Sequence, residues 1–311
     1  MSRDVTDVSY ENPSPGVVPP DPGQEGPAEA CPPPLAWQEV LEKFHAQATP
    51  WYLDRPRYRL SGRMLGTGRP LYLLNGFGGA HELYALLVWL LQDDFRCVVW
   101  DFPGTRAGSG SPRGISLGDL AADVAAVAET CGDAQIDLFA PSFGSLVALR
   151  AAINHPRLVR RLALQGGFAH RNLSRFERWL ARSCRFYPGT LRRFPGSRAV
   201  RQHNHRRWFP PFDLTRWEFL EDVAGRVPVS TLACQAAMVR DTDLRAELPG
   251  IEQPLLLIET EGEGASTRDC QRELAAGVPH ARMETILNTG QYPYLTHPHR
   301  LAKVIRQFFE E

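Results

Sequence analysis

The sequence predicts a doubly wound α/β fold, and three observations carry that prediction. Short apolar runs without polar alternation recur along the chain: LYLLN (71–75), CVVWD (97–101), IDLFA (136–140), RLALQG (161–166) and PLLLIE (254–259). Such runs belong to strands buried on both faces, which is the environment of a parallel sheet. Segments of ten or more residues with helical periodicity separate most of them, as parallel strands need crossover helices. Finally, 311 residues with 43% hydrophobic and 23% charged content are those of a globular chain. A chain of that size can bury well over half of its unfolded surface.

Each element follows in order. Residues 1–35 are rich in Pro, Gly, Glu and Asp and lack apolar periodicity, so a disordered tail is expected there. Residues 36–311 then form the α/β domain. LAWQEVLEKFHAQ reads as an amphipathic helix and RYRLSGRML as a strand, closed by the turn signal Gly66-Thr67-Gly68. HELYALLVWLLQ (81–92), LGDLAADVAAVAETC (117–131) and SLVALRAAINH (145–155) are helices between the apolar strands. The alternation stops near Phe168. From about 170 to 230 the pattern is helical, aromatic and Arg-rich, and Thr215 to Glu218 has capping-box spacing. This stretch is expected to be a helical insertion over the sheet, in the position of a lid. The sheet resumes at PLLLIE, followed by a helix through RDCQRELAAGV, a strand at RMETIL and a last helix from His299 to Phe309.

Composition excludes several classes of function. Formal net charge is zero and no groove-reading motif is present, so no nucleic-acid partner is expected. The six cysteines have no Cys-x-x-Cys spacing, which sets aside the common zinc and thioredoxin-like patterns; neither a metal nor a cofactor is expected. The apolar runs are too short to span a bilayer, and MSRDVTDVSY is no secretory signal. A cytoplasmic protein is the expectation.

The chemistry-bearing residues begin with Ala140-Pro141-Ser142-Phe143-Gly144 at the end of IDLFA. A serine on a sharp strand-to-helix turn needs small residues two before and two after it, because larger ones collide with strand and helix. Ala140 and Gly144 fill those places. The plainer reading is a βα turn with an N-capping serine. Asn75-Gly76-Phe77-Gly78-Gly79 ends the LYLLN strand. There the N–H groups of Gly76 and Phe77, with that of Phe143, are candidates for an oxyanion hole; a glycine-rich turn without a ligand is the plainer alternative.

Asn75–Gly79, VVWDFPGTRAGS, Ala140–Gly144 and the late strand and helix together resemble the α/β-hydrolase superfamily, from about Arg57 onward. The resemblance implies an α/β-hydrolase fold with a mostly parallel sheet, and a triad built on Ser142. It implies an acid after the penultimate strand, where Glu263 stands nearest in Glu259-Thr260-Glu261-Gly262-Glu263. The family's histidine follows the final strand, yet this chain reads Asn288-Thr289-Gly290-Gln291-Tyr292-Pro293. Gln291 thus falls in the histidine slot, and an amide cannot act as a base near neutral pH. His81, His170, His297 and His299 are the other histidines weighed, and a surface role is the simpler account of each. TLACQ (231–235), PLLLIETEGEGAS and NTGQYPYL (288–295) resemble the maspardin family, divergent members regarded as binding proteins.

Two functions of different class follow. One is a non-catalytic binding or scaffolding protein, holding a small-molecule or acyl ligand under the lid or docking a protein partner. The other is a serine hydrolase of esters or related acyl compounds with a displaced base. Within 170–226 arginines outnumber acids by more than two to one, interleaved with aromatics. Weak contact with an anionic surface is one reading; an amphipathic lid is the other.

Overall fold

The computed structural model describes residues 36–106 and 109–310, so the tail expected over 1–35 lies outside the described residues. The first half of the domain runs α1 (Trp37–Gln47), β1 (Thr49–Arg55), β2 (Tyr58–Leu65), β3 (Arg69–Leu73), α2 (Ala85–Leu91), β4 (Phe95–Trp100) and α3 (Leu117–Cys131). The central crossover is β5 (Ile136–Pro141), α4 (Phe143–Asn154) and β6 (Val159–Gln165). Four helices follow: α5 (Arg175–Cys184), α6 (Ser197–His205), α7 (Thr215–Arg226) and α8 (Val229–Asp241). The chain ends with β7 (Leu255–Thr260), α9 (Ala265–Gly277), β8 (Ala281–Ile286), α10 (Pro293–Thr296) and α11 (Pro298–Glu310).

One sheet holds the strands in the order β1-β2-β4-β3-β5-β6-β7-β8. From β4 to β8 every pairing is parallel, while β1 and β2 are antiparallel additions at one edge. The sheet winds outward from β3 in both directions, as the apolar strand runs predict. Side chains alternate across it: Tyr72 and Leu74 pack with α3 and α4, whereas Leu71 and Leu73 pack with α2 and α11. Val124, Leu146 and Leu149 fill the first layer; Phe44, Leu87, Ile305 and Phe309 fill the second.

Two elements depart from the expectation. No strand is expected over TPWYLDR, which carries Pro50, yet it forms β1, paired with β2 from Thr49↔Met64 to Arg55↔Tyr58. An edge strand tolerates the missing N–H of proline. The capping box expected at Thr215 is not formed either. Thr215 is already the first helical residue of α7, and Asp213 Oδ1 accepts from its N–H at 3.0 Å and from its hydroxyl at 2.5 Å. The boxes that do form are Ser116 with Asp119 on α3 and Ser174 with Glu177 on α5. The helical insertion between β6 and β7 runs on to Asp241, beyond the expected end near residue 230, because α8 follows α7 after only two residues.

Candidate active site

Ser142 stands between β5 and α4 at φ 48° and ψ −117°, a conformation that L residues rarely adopt. Its backbone is held from both sides. The Ser142 N–H donates to Gln165 O at 2.8 Å, and its carbonyl accepts from the Ser145 N–H at 2.9 Å and the Ser145 hydroxyl at 2.6 Å. The small neighbours are required by contact. A Cβ on Gly144 would stand 2.6 Å from Asn75 O, and Ala140 is fully buried. The turn is therefore a nucleophile-elbow geometry rather than an ordinary capped helix start: the Ser142 side chain makes no capping bond.

The Asn75–Gly79 loop lies directly against this turn. A Cβ on Gly76 would meet Pro141 O at 3.4 Å, and the Asn75 amide donates to Trp100 O at 2.6 Å, anchoring the loop to β4. Phe143 opens α4, whose first-turn N–H groups have no acceptor within the helix. Its ring is buried edge-on against Phe102, with centroids 5.6 Å apart, which fixes the start of the helix. The Phe77 ring by contrast is 46% exposed. Gly78 N–H donates to Gln235 Oε1 of α8 at 2.9 Å, so the insertion grips the far end of the loop. The Asn75–Gly79 loop and the start of α4 thus lie against the Ser142 turn, with the Gly76 N–H turned toward the buried Tyr84 hydroxyl.

Glu263 follows β7, as the sequence suggests, and is 3% exposed. Its carboxylate faces two amides: Gln165 Nε2 donates to Oε1 at 2.8 Å and Gln271 Nε2 to Oε2 at 2.5 Å. Burial pushes its pKa up to about 7, against the pull of those donors. Gln165 therefore touches both halves of the site, its carbonyl on the Ser142 N–H and its amide on Glu263. Sequence reading missed Gln165 and Gln271, because a glutamine carries no signal until its partner is known.

Gln291 lies in the loop after β8, exposed. Between the Glu263 loop and the Gln291 loop sits an indole from the insertion. A Cβ on Gly262 would stand 2.5 Å from Trp208 Cε2, and one on Gly290 2.6 Å from Trp208 Cγ. Glu263 and Gln291 do not meet among the described hydrogen bonds, and the Ser142 hydroxyl has no hydrogen-bond partner among the described residues. The four histidines weighed from sequence are engaged elsewhere or exposed. His81 Nδ1 lies 3.1 Å from Asp101 Oδ1, beside Arg106. His170 sits between Thr242 O and Asn172 Oδ1, each at 3.2 Å. His297 Nδ1 lies 3.1 Å from Thr296 Oγ1, and His299 is exposed. A fifth, His205 on α6, packs edge-on against Tyr292 with ring centroids 5.2 Å apart. Burial and the nearby Arg201 charge lower its pKa to about 4, so the imidazole is neutral at pH 7.

The sequence profile of the alpha/beta hydrolase family matches residues 71–304. The chain belongs to the alpha/beta hydrolase family. It is 29% identical over 250 residues to a pimeloyl-(acyl-carrier protein) methyl ester esterase of Aromatoleum aromaticum, covering 76% of this chain and 96% of that protein. A hydrolase from Pseudomonas aeruginosa superposes with a TM-score of 0.72 at 23% identity, over 85% of this chain and 99% of that one. The enol-lactonase from Burkholderia xenovorans superposes with a TM-score of 0.70, also at 23% identity, over 84% and 100% of the two chains. No helix among the described residues is long and apolar enough to cross a membrane.

Proposed function

We propose that this protein is a hydrolase-fold binding protein that holds an ester or related acyl compound at Ser142 without efficient turnover. The observation that carries the reading is the unpartnered Ser142 hydroxyl in an intact elbow, with exposed Gln291 in the slot after the last strand. Binding draws on the backbone N–H groups of Phe77 and Phe143, which do not depend on a base. Hydrolysis needs a group that takes the serine proton and returns it to the leaving group, and an amide does neither. The loss of that exchange costs roughly a hundred- to ten-thousandfold in rate. Relatives named as a methyl ester esterase and an enol-lactonase support a carbonyl compound as ligand. The NTGQYPYL likeness to maspardins supports a member without catalysis. In this reading α5–α8 are the lid, and Trp208 is its seal on the Glu263 and Gln291 loops.

A working serine hydrolase is the second reading, and one observation favours it. His205 is a neutral imidazole carried by the insertion next to Tyr292. A movement of α6 that delivered it to Ser142 would supply the missing base. Hydrolysis of p-nitrophenyl acetate and butyrate separates the two. Equal, background rates for wild type and Ser142→Ala support the binding protein; a wild-type rate a hundredfold above Ser142→Ala, lost again in His205→Ala, supports the hydrolase.

A further inference from the structure

The helix α8 has two working faces. Leu232 and Gln235 look toward the Asn75–Gly79 loop, the first within contact of Gly78 and the second bonded to its N–H. Ala233, Cys234, Ala237, Met238 and Asp241 recur at the spacing of one helical face, and they line a cleft of about 400 Å³ that none of the Ser142 residues enters. The opposite walls are Ala181, Arg182 and Arg185 from the end of α5, and the Pro112–Leu117 stretch leading into α3. This cleft and the elbow therefore lie on different sides of α8.

Its lining is sorted by polarity. Ile115, Leu117, Ala181, Ala233, Ala237 and Met238 make an apolar floor. Arg182, Arg185 and Arg240 add positive charge, against the single carboxylate of Asp241. Arg240 holds Asp241 through two hydrogen bonds of 2.6 Å, which neutralises that pair. Arg182 and Arg185 are exposed; the Arg185 guanidinium lies 5.9 Å from the Phe186 ring centroid and, after the Arg240 hydrogen bonds, the Arg182 charge helps hold the Asp241 carboxyl down. Among the described residues neither guanidinium donates a hydrogen bond or forms a close ion pair. Arg113 braces the same rim from below, its guanidinium 4.6 Å from the Phe186 ring centroid and 3.4 Å from Arg185 O. The start of α3 adds no anion site, because Ser116 and Asp119 already cap it.

We propose that this cleft binds an alkyl or acyl chain ending in an anionic oxygen head group, with the chain on the α8–α3 floor and the head between Arg182 and Arg185. The volume falls in the range of small-molecule sites, roughly 300–1,000 Å³. Two guanidinium forks with no hydrogen-bonded carboxylate, beside an apolar trough, match a carboxylate or phosphate head more closely than a neutral one. Nucleic acid does not fit, since the trough is floored by aliphatic groups.

Calorimetric titration of the full chain with dodecanoate, dodecyl phosphate and dodecanol tests the proposal. Both anions are expected to bind at least tenfold more tightly than the alcohol, and the tighter of the two identifies the head group. An Arg182→Gln, Arg185→Gln double variant is expected to lose tenfold or more for the anions and little for dodecanol. Ala237→Trp, which fills the floor, is expected to abolish binding of all three. Location is read independently of the Ser142 site by peptide mapping of thiol alkylation: the bound anion slows modification of Cys234 in the cleft wall. Equal affinity for dodecanol and dodecanoate, or anion binding that leaves Cys234 unprotected, or unchanged anion affinity in the double arginine variant, overturns it.

Discussion

Ser142 keeps φ 48° although its side chain makes no bond that favours it, and such strain in a non-glycine residue costs of order 1–3 kcal/mol. Replacing it tests the elbow without any substrate. Ser142→Gly should be more stable than Ser142→Ala by about 1 kcal/mol, since only glycine relaxes at positive φ. For a chain of this size that is a difference of roughly 2–4 °C in melting temperature. Glu263 gives a second residue-level test, through pH. Its folded-state pKa is raised to about 7 from 4.5, so the folded protein binds that proton more tightly than the unfolded chain. Stability from this group is fully present below about pH 4.5 and is lost as pH rises toward 7, by up to about 3 kcal/mol. Thermal melts from pH 5 to 8 should show wild type losing stability relative to Glu263→Gln; parallel profiles would contradict the buried carboxyl. Ser142 was legible in the sequence because its constraint is local: small residues at two fixed offsets. The surroundings of Glu263 were not, because Gln165 lies on another strand and meets it only through the sheet.

At the scale of elements, strands buried on both faces declared themselves, and those with one polar face did not. β3 to β7 carry apolar runs that periodicity finds, whereas β1 offers only a proline and alternating exposed side chains. The start of α7 shows how a cap is misread by one residue. Thr215 has the right spacing to Glu218, but Asp213 takes the N-terminal donors and the Thr215 hydroxyl in turn accepts from Trp37 Nε1 at 2.8 Å. Asp213→Ala should therefore cost about 1 kcal/mol, measured by urea unfolding, as the loss of a helix cap does. The loops after β7 and β8 carry a third expectation. Gln291→His alone should raise ester hydrolysis less than tenfold. Glu263 spends both oxygens on Gln165 and Gln271, so a new imidazole would lack the carboxylate that fixes its tautomer. A gain of a thousandfold from that single change would show that the acid is free to turn.

Over the whole molecule, the parallel winding from β4 to β8 brings the loops after β3, β5, β7 and β8 to the carboxyl edge of one sheet. That is why the loops carrying Asn75, Ser142, Glu263 and Gln291 open at one edge of the sheet, as the resemblance to the α/β hydrolases implies. What the sequence did not show is how the helical insertion meets that edge, with Trp208 laid on Gly262 and Gly290 and Gln235 bonded to Gly78. Those contacts join segments with no shared periodicity. The central claim is that the elbow presents an unactivated serine. A fluorophosphonate probe reads this directly, since covalent capture requires a serine whose proton is drawn off by a base. Incubated with purified protein at pH 7.5, the probe should leave Ser142 unlabelled, by intact mass and peptide mapping, over a time in which an active serine esterase labels completely. Stoichiometric labelling of Ser142 would contradict it.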